Sequence, residues 1–275
     1  TDDGIDGRDD LDGFLGLPVH ALIPAEPGGA KSQPGILNVP DGDFADAHRR
    51  LRGNLLFQAN QDKSRVIMVA SAAGSGDQSA TVSNLGVSLS QVGNRVLVVS
   101  VDYRDPTLHL AFGVEREPGL TEFMAAGAVG ENLSLRAPDP DLRLRIMTTG
   151  YEPRRPAELL QSAAFDRFLR EQREIFDFIL LDAPAVLDVA DSLAVAPKAD
   201  SVLLVADRRV ATRDSIVRAH AQLVRVGGRV SGVVISDGKH LDEVTVTGPG
   251  DRNASGGQGP NRSLASTVAG LRGDR

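Results

Sequence analysis

VASAAGSGDQSATVSNLG, residues 69–86, is the stretch on which the fold turns. The apolar run RVIMVA (65–70) leads into it and a helical pattern leaves it, so its glycine-rich centre is a turn between a strand and a helix. A turn of this kind cradles phosphate when glycine-freed N–H groups converge at the helix start, a lysine reaches the outer phosphates and a hydroxyl holds Mg²⁺. Gly74 and Gly76 keep the flexibility, and Ser79 keeps the hydroxyl. The lysine position is Gln78, however, and the glycine before it is Asp77. At an effective dielectric near 20 and a separation of about 5 Å, each unit charge is worth roughly 3 kcal/mol against one phosphate charge. Tight ATP binding in the usual manner is therefore not expected. Taken alone, the loop reads as a plain strand-to-helix turn with Ser79 in the helix start.

Working outward, RVLVVSV (95–101), FDFILLD (176–182), SVLLVA (201–206) and RVSGVVI (229–235) are short and rich in β-branched residues, as strands buried on both faces are. Helical periodicity separates them, over 156–176 with a proline at its start, and over 212–226, where Ile216, Val217, His220, Leu223 and Val224 share a face. His220 on that apolar face reads as a core or interface histidine rather than a ligand. The alternation implies an α/β fold, a doubly wound and mainly parallel sheet flanked by helices, with ligands at the carboxyl ends of its strands. Composition agrees: the 275 residues are 41% hydrophobic but only 4% aromatic, so the core is built from Val, Leu, Ile and Ala.

A formal charge of −7 argues against a nonspecific grip on nucleic acid or anionic lipid. With no cysteine, disulfides and thiol chemistry are excluded. No apolar run approaches the length of a membrane span, and TDDGIDGRDD lacks the regions of a signal peptide. Residues 1–42 read as an arm whose apolar island, LDGFLGLPVHALIP, must pack on something. Residues 43–237 read as the domain, and the Gly-rich 238–275 as a mobile tail. Within the domain, Phe44 to Ala59 is amphipathic: Phe44, Leu51, Leu55 and Leu56 make one face, beside a basic cluster of His48, Arg49, Arg50 and Arg52.

Two further pieces stand at strand ends, VLVVSVDYRDP (96–106) and FDFILLDAPAVLDVAD (176–191). A lone aspartate after a strand is commonly a cap; both pieces in order behind a glycine-rich loop carry more weight. Together the three resemble the motifs of the bacterial tyrosine kinases, the P-loop domains attached to polysaccharide co-polymerases that control capsule and exopolysaccharide chain length. The likeness runs from the LGLPVHALIP island to about Asp237. The loop motif aligns without a gap from Ala70 and Ser71 through Gly74, Ser75, Gly76, Asp77, Gln78, Ser79 and Ala80. The second motif keeps Asp102, Arg104 and Pro106 but has Ser100 for its first aspartate. The third is met by Asp182-Ala183-Pro184, followed by Asp188 and Asp191.

The resemblance implies nucleotide contacts from Gly74 to Ala80, Mg²⁺ on Ser79, Asp102 and Asp182, and residual catalysis, if any, by Asp102 and Asp182. It also implies subunit pairing in a ring through the 44–57 helix, where the family's E-x-x-R-x-x-R motif stands as Asp46, Arg49 and Arg52. The bland reading of those residues is a solvated basic face. By the same resemblance the chain lies at the cytoplasmic face of the bacterial inner membrane, joined to a membrane-embedded part and working with the polysaccharide export machinery, with no nucleic acid. The departures matter as much. The family's lysine and its deprotonating aspartate are both missing, and the hydroxyl of Ser100 is a poor base near neutral pH. The tail of a family member is rich in tyrosine; here the only tyrosines are Tyr103 and Tyr151.

The leading expectation is thus a pseudokinase-like domain acting by assembly, with no tightly bound cofactor, and with ATP and Mg²⁺ bound only where the phosphate loop keeps some function. One alternative is an active atypical tyrosine kinase or ATPase, its missing cation supplied by an arginine such as a neighbouring subunit's Arg49 or Arg52. The other is a partitioning-type P-loop ATPase, which the missing Lys-Gly-Gly opening and the lack of a basic stripe disfavour.

Overall fold

The computed structural model describes residues 16–26, 34–62, 65–74, 77–126 and 135–237. Seven strands, β1 (Val19–Ile23), β2 (Val66–Ser71), β3 (Val96–Ser100), β4 (Leu144–Met147), β5 (Phe178–Ala183), β6 (Ser201–Asp207) and β7 (Val230–Ser236), form one sheet in the order β1-β7-β6-β2-β5-β3-β4. Every pairing between these strands is parallel, as the sequence reading expects, and an isolated antiparallel bridge joins Arg136 to Ile146 of β4. β2, β3, β5 and β6 are buried along their whole length, as unbroken Val, Ile and Leu runs require. Two apolar clusters cover the two faces. The first contains Phe165, Phe168, Ile216 and Leu223; the second contains Phe44, Leu51, Leu55, Val82 and Leu85.

The structure departs from the sequence reading at several places, among them β4, which that reading did not locate. Residues 19–23, within the expected arm, form the edge strand β1 and pair with Val233 to Ser236 of β7. Only five residues long and paired to the far end of the chain, β1 carries too little local signal to be separated from a loop. The helical run 156–176 is two helices, Pro156–Gln161 and Ala163–Ile175, because Ser162 leaves helical geometry and its hydroxyl accepts the Phe165 N–H at 3.4 Å. The Arg213–Arg225 helix buries Ile216, Ala219 and Leu223 and leaves Val224 53% exposed, so its apolar face is rotated from the expected one. His48, counted in the basic cluster, is buried against Phe44 with ring centroids 4.6 Å apart, and burial holds its pKa down to about 4.

β2 sits at the centre of the sheet, between β6 and β5, and hands its chain to the Asp77–Ser90 helix. That helix lies close on the sheet: a Cβ at Gly86 would come within 2.8 Å of Val98 Cγ2, which is why the position needs glycine. Ser75 and Gly76, residues 1–15 of the arm and the 238–275 tail lie outside the described residues. Among the described residues, no helix is long and apolar enough to cross a membrane, and no group of three His, Asp or Glu residues is placed to hold a metal ion.

Candidate functional site

Strand register assembles the site. In the β3–β5 ladder Ser100 stands level with Asp182, and in the β2–β5 ladder Val69 does, so the carboxyl ends of three adjacent strands meet at one point. Ser79, in the first turn of the Asp77–Ser90 helix, places its hydroxyl over that point. Its Oγ lies 2.9 Å from Asp182 Oδ1 and 3.0 Å from Oδ2, and Ser100 Oγ donates to Oδ2 at 3.3 Å. Asp182 is wholly buried. Burial, and then the charge of Asp102, push its pKa up to about 8, against the two hydroxyls that favour its ionised form. Asp102 lies past the end of β3, where its Oδ1 accepts the N–H groups of Arg104 and Asp105, both at 3.0 Å. Burial raises it to about 6 in spite of those bonds.

Ser100 is therefore more than a missing base. It supplies a donor to a carboxyl group that the fold buries. Ser100→Asp would put a second carboxylate beside Asp182 with no cation to share. Loss of about 3 kcal/mol of stability is expected at neutral pH, and a smaller loss at pH 5, both measurable by urea unfolding.

Protein groups meet the described edges of the loop. Gly74 N–H donates to Asp188 Oδ2 at 3.0 Å, so an exposed carboxylate after β5 takes one loop amide. Val186 N–H and Leu187 N–H bond to the carbonyls of Ser71 and Ala72 at 2.9 and 3.1 Å, which holds the segment after β5 against the exit of β2. Gln78, in the lysine position, is only 4% exposed, and its Oε1 is buried without a hydrogen-bond partner. Ala80 lies half-buried one residue beyond Ser79, beside His48.

Asp77 faces away from the carboxyl cluster. Its carboxylate does not join Asp182 and Ser79 on the β5 side of β2 but reaches the ends of β6 and β7, on the other side. Ser236 Oγ donates to Asp77 Oδ2 at 2.6 Å, and Arg209 Nη2 lies 3.7 Å from Oδ1. The adverse charge foreseen at this position is thus drawn towards an arginine that Asp207 already shares, and Gln78 brings no cation of its own. Neither Arg209 nor Ser236 was legible in the sequence as part of the site. Arg209 follows β6 and Ser236 closes β7, both more than a hundred residues from the loop, and only the run Asp207-Arg208-Arg209 hints at charge there.

Other residues extend the site. Asp191, buried, is 3.4 Å from Arg104 Nε, and Arg104 Nη1 is 3.8 Å from Glu152, so the arginine of the second motif ties the segments that follow β3, β4 and β5. Tyr103 is buried, and Thr121 Oγ1 bonds to its hydroxyl at 3.2 Å; burial raises the phenol well above its ordinary range. Tyr151 is half-exposed.

Asp46, Arg49 and Arg52 lie on the Asp43–Asp62 helix, away from the carboxyl cluster. Arg49 Nη1 meets Asp46 Oδ1 at 2.7 Å. Arg52 Nη1 reaches across to Ser88, donating to its carbonyl at 3.0 Å and to its Oγ at 3.2 Å. A cation at the last carbonyls of a helix is favourably placed, so the helix that carries the arginines grips the end of the helix that carries the loop.

No family model matches the chain. It is 28% identical over 214 residues to the tyrosine-protein kinase YwqD of Bacillus subtilis, covering 78% of this chain and 86% of that protein. To the tyrosine-protein kinase ptk of Acinetobacter johnsonii it is 26% identical over 245 residues, covering 85% of this chain but 33% of that protein. The chain therefore spans most of one kind of relative and about a third of the other. Among solved structures, the BceF tyrosine kinase domain superposes with a TM-score of 0.76 at 26% identity, covering 85% of this chain and 98% of that one.

Proposed function

We propose that this chain, a relative of the bacterial tyrosine-protein kinases that shares their P-loop nucleotide-hydrolase fold, is the cytoplasmic domain of a polysaccharide co-polymerase from which phosphoryl transfer has been lost. Its work is assembly: pairing with further copies through the Asp43–Asp62 helix, at the inner face of the bacterial membrane, in capsule or exopolysaccharide synthesis. The observation that carries this reading is Gln78, a buried amide with an unpartnered oxygen where the chemistry calls for a cation.

The oxygen donors Ser79, Asp102 and Asp182 suit Mg²⁺ by type, but their present arrangement suits it poorly. Ser79 and Ser100 both direct their hydroxyls at Asp182, and burial raises its carboxyl to about 8, which favours the protonated form near neutral pH. Mg²⁺ would have to displace that proton and one hydroxyl bond, while Gln78 brings no charge to the phosphates that come with the ion. A Ser100 hydroxyl given to Asp182 is also no base for a tyrosine.

Calorimetric titration of the protein with ATP and excess Mg²⁺ is the test. The expected trace shows no saturable binding at micromolar nucleotide. A micromolar Kd, or turnover lost on mutating Asp102 and Asp182, would establish an atypical kinase instead.

A further inference from the structure

We propose that Asp77, Arg209 and Ser236 form a clasp that orders the start of the Asp77–Ser90 helix in the absence of nucleotide, protein charge doing there what a bound polyphosphate does in a working phosphate loop. The proposal rests on the reading of the loop as inactive. It gives a positive role to a residue that the motif comparison treats only as a lesion.

Two carboxylates, Asp77 and Asp207, are each 1% exposed, and one guanidinium serves both. Arg209 binds Asp207 in a fork, with Nε at 2.9 and 3.1 Å from the two oxygens and Nη2 at 2.6 Å from Oδ2. The backbone N–H of Arg209 adds a further bond to Asp207 Oδ1 at 2.9 Å, so the fork is fixed from two directions. The same Nη2 stands 3.7 Å from Asp77 Oδ1. On the far oxygen of Asp77, the Ser236 hydroxyl donates at 2.6 Å. Arg208 N–H bonds to the Ser236 carbonyl at 2.9 Å, which joins the β6 exit to the end of β7. Three segments distant in sequence are thereby drawn together at the first residue of a 14-residue helix. A negative side chain in the first turn of a helix is also favoured by the helix dipole. A buried carboxylate is retained where it is paired and hydrogen-bonded; Asp77 accepts the Ser236 hydroxyl, stands at ion-pair distance from Arg209, and its carboxyl also meets that of Asp207.

The test is hydrogen–deuterium exchange over residues 77–83 in the full chain, wild type against Asp77→Asn, Arg209→Gln, Ser236→Ala and the Asp77→Asn/Arg209→Gln double variant. Each single variant is expected to speed exchange of this segment by about tenfold or more, with circular dichroism unchanged. The double variant should be no faster than the faster of its singles, since each removes the same tie. Unchanged exchange in Arg209→Gln, or single effects that simply add in the double variant, would overturn the clasp. If Arg209→Gln does not fold, Ser236→Ala, which removes one hydroxyl, gives the same readout and decides the matter in the same way. Added Mg-ATP separates the two claims. New protection of 77–83 by nucleotide in the wild type would refute the inactive loop and leave the clasp standing, whereas unmoved exchange in the variants without any nucleotide effect would refute the clasp alone.

Discussion

Gln78→Lys alone raises the affinity for Mg-ATP by about 100-fold, and Asp77→Gly alone does not. The lysine brings one positive charge to within reach of the phosphates, worth roughly 3 kcal/mol at a moderate effective dielectric, and each 1.4 kcal/mol is a factor of ten. Little has to break to admit it, because the Gln78 oxygen has no hydrogen-bond partner to lose. The aspartate is different. Its carboxylate is held by Ser236 and Arg209 on the β6–β7 side of the loop, so removing it takes little repulsion from a nucleotide and leaves Arg209 with one acidic neighbour fewer. Competition with a fluorescent nucleotide analogue ranks the two variants directly. A gain in Asp77→Gly that matched or exceeded the gain in Gln78→Lys would mean that the carboxylate swings into the phosphate cradle in solution.

Asp182→Asn should stabilise the protein at pH 8 by several kcal/mol and remove the part of the pH dependence of unfolding that this carboxyl contributes. The folded-state pKa is raised, from an ordinary carboxylate value to about 8, so the folded protein binds more protons than the unfolded chain between those limits. Its stability is fully present below the unfolded pKa near 4 and falls as pH rises towards 8, where burial of an ionised carboxylate weighs most heavily. Asparagine is neutral at every pH in that window and keeps an oxygen for the Ser79 hydroxyl. Asp102, raised to about 6, adds a shallower slope of the same sign at the lower end. Urea unfolding of wild type and variant at pH 5, 6.5 and 8 reads the difference between the two curves. A difference between variant and wild type that fails to grow from pH 5 to 8 would show that Asp182 is ionised in the fold.

These two effects also mark what the sequence could and could not disclose. The alternation of β-branched runs with helical ones locates β2, β3, β5, β6 and β7 and the loop between β2 and its helix, because parallel strands buried on both faces leave an unbroken apolar signature. β1 and β4 are short edge strands, and edge position removes that signature. Ser79, Asp102 and Asp182 were legible because each closes a strand or opens a helix, and register then brings Ser79 onto Asp182. The pairing of Ser100 with Asp182 was not, since a serine at a strand end has many bland readings and its hydrogen bond depends on ladder register. The orientation of Asp77 was not legible for a related reason. Charge at one loop position can be counted in sequence, but the side of the strand it faces depends on Arg209 and Ser236, which only folding brings near. His48 fell to burial: in a run of basic residues the one on the inner helical row cannot be told from its neighbours by charge.

The Asp77–Ser90 helix is held at both extremities, by Ser236 and Arg209 at its first residue and by Arg52 at Ser88. Fourteen residues at 1.5 Å rise make a rod of about 21 Å. Contacts at both ends join that rod to the Asp43–Asp62 helix through Ser88 and to the exits of β6 and β7 through Asp77, so one continuous helix links two parts of the domain that do not otherwise share these side chains' contacts.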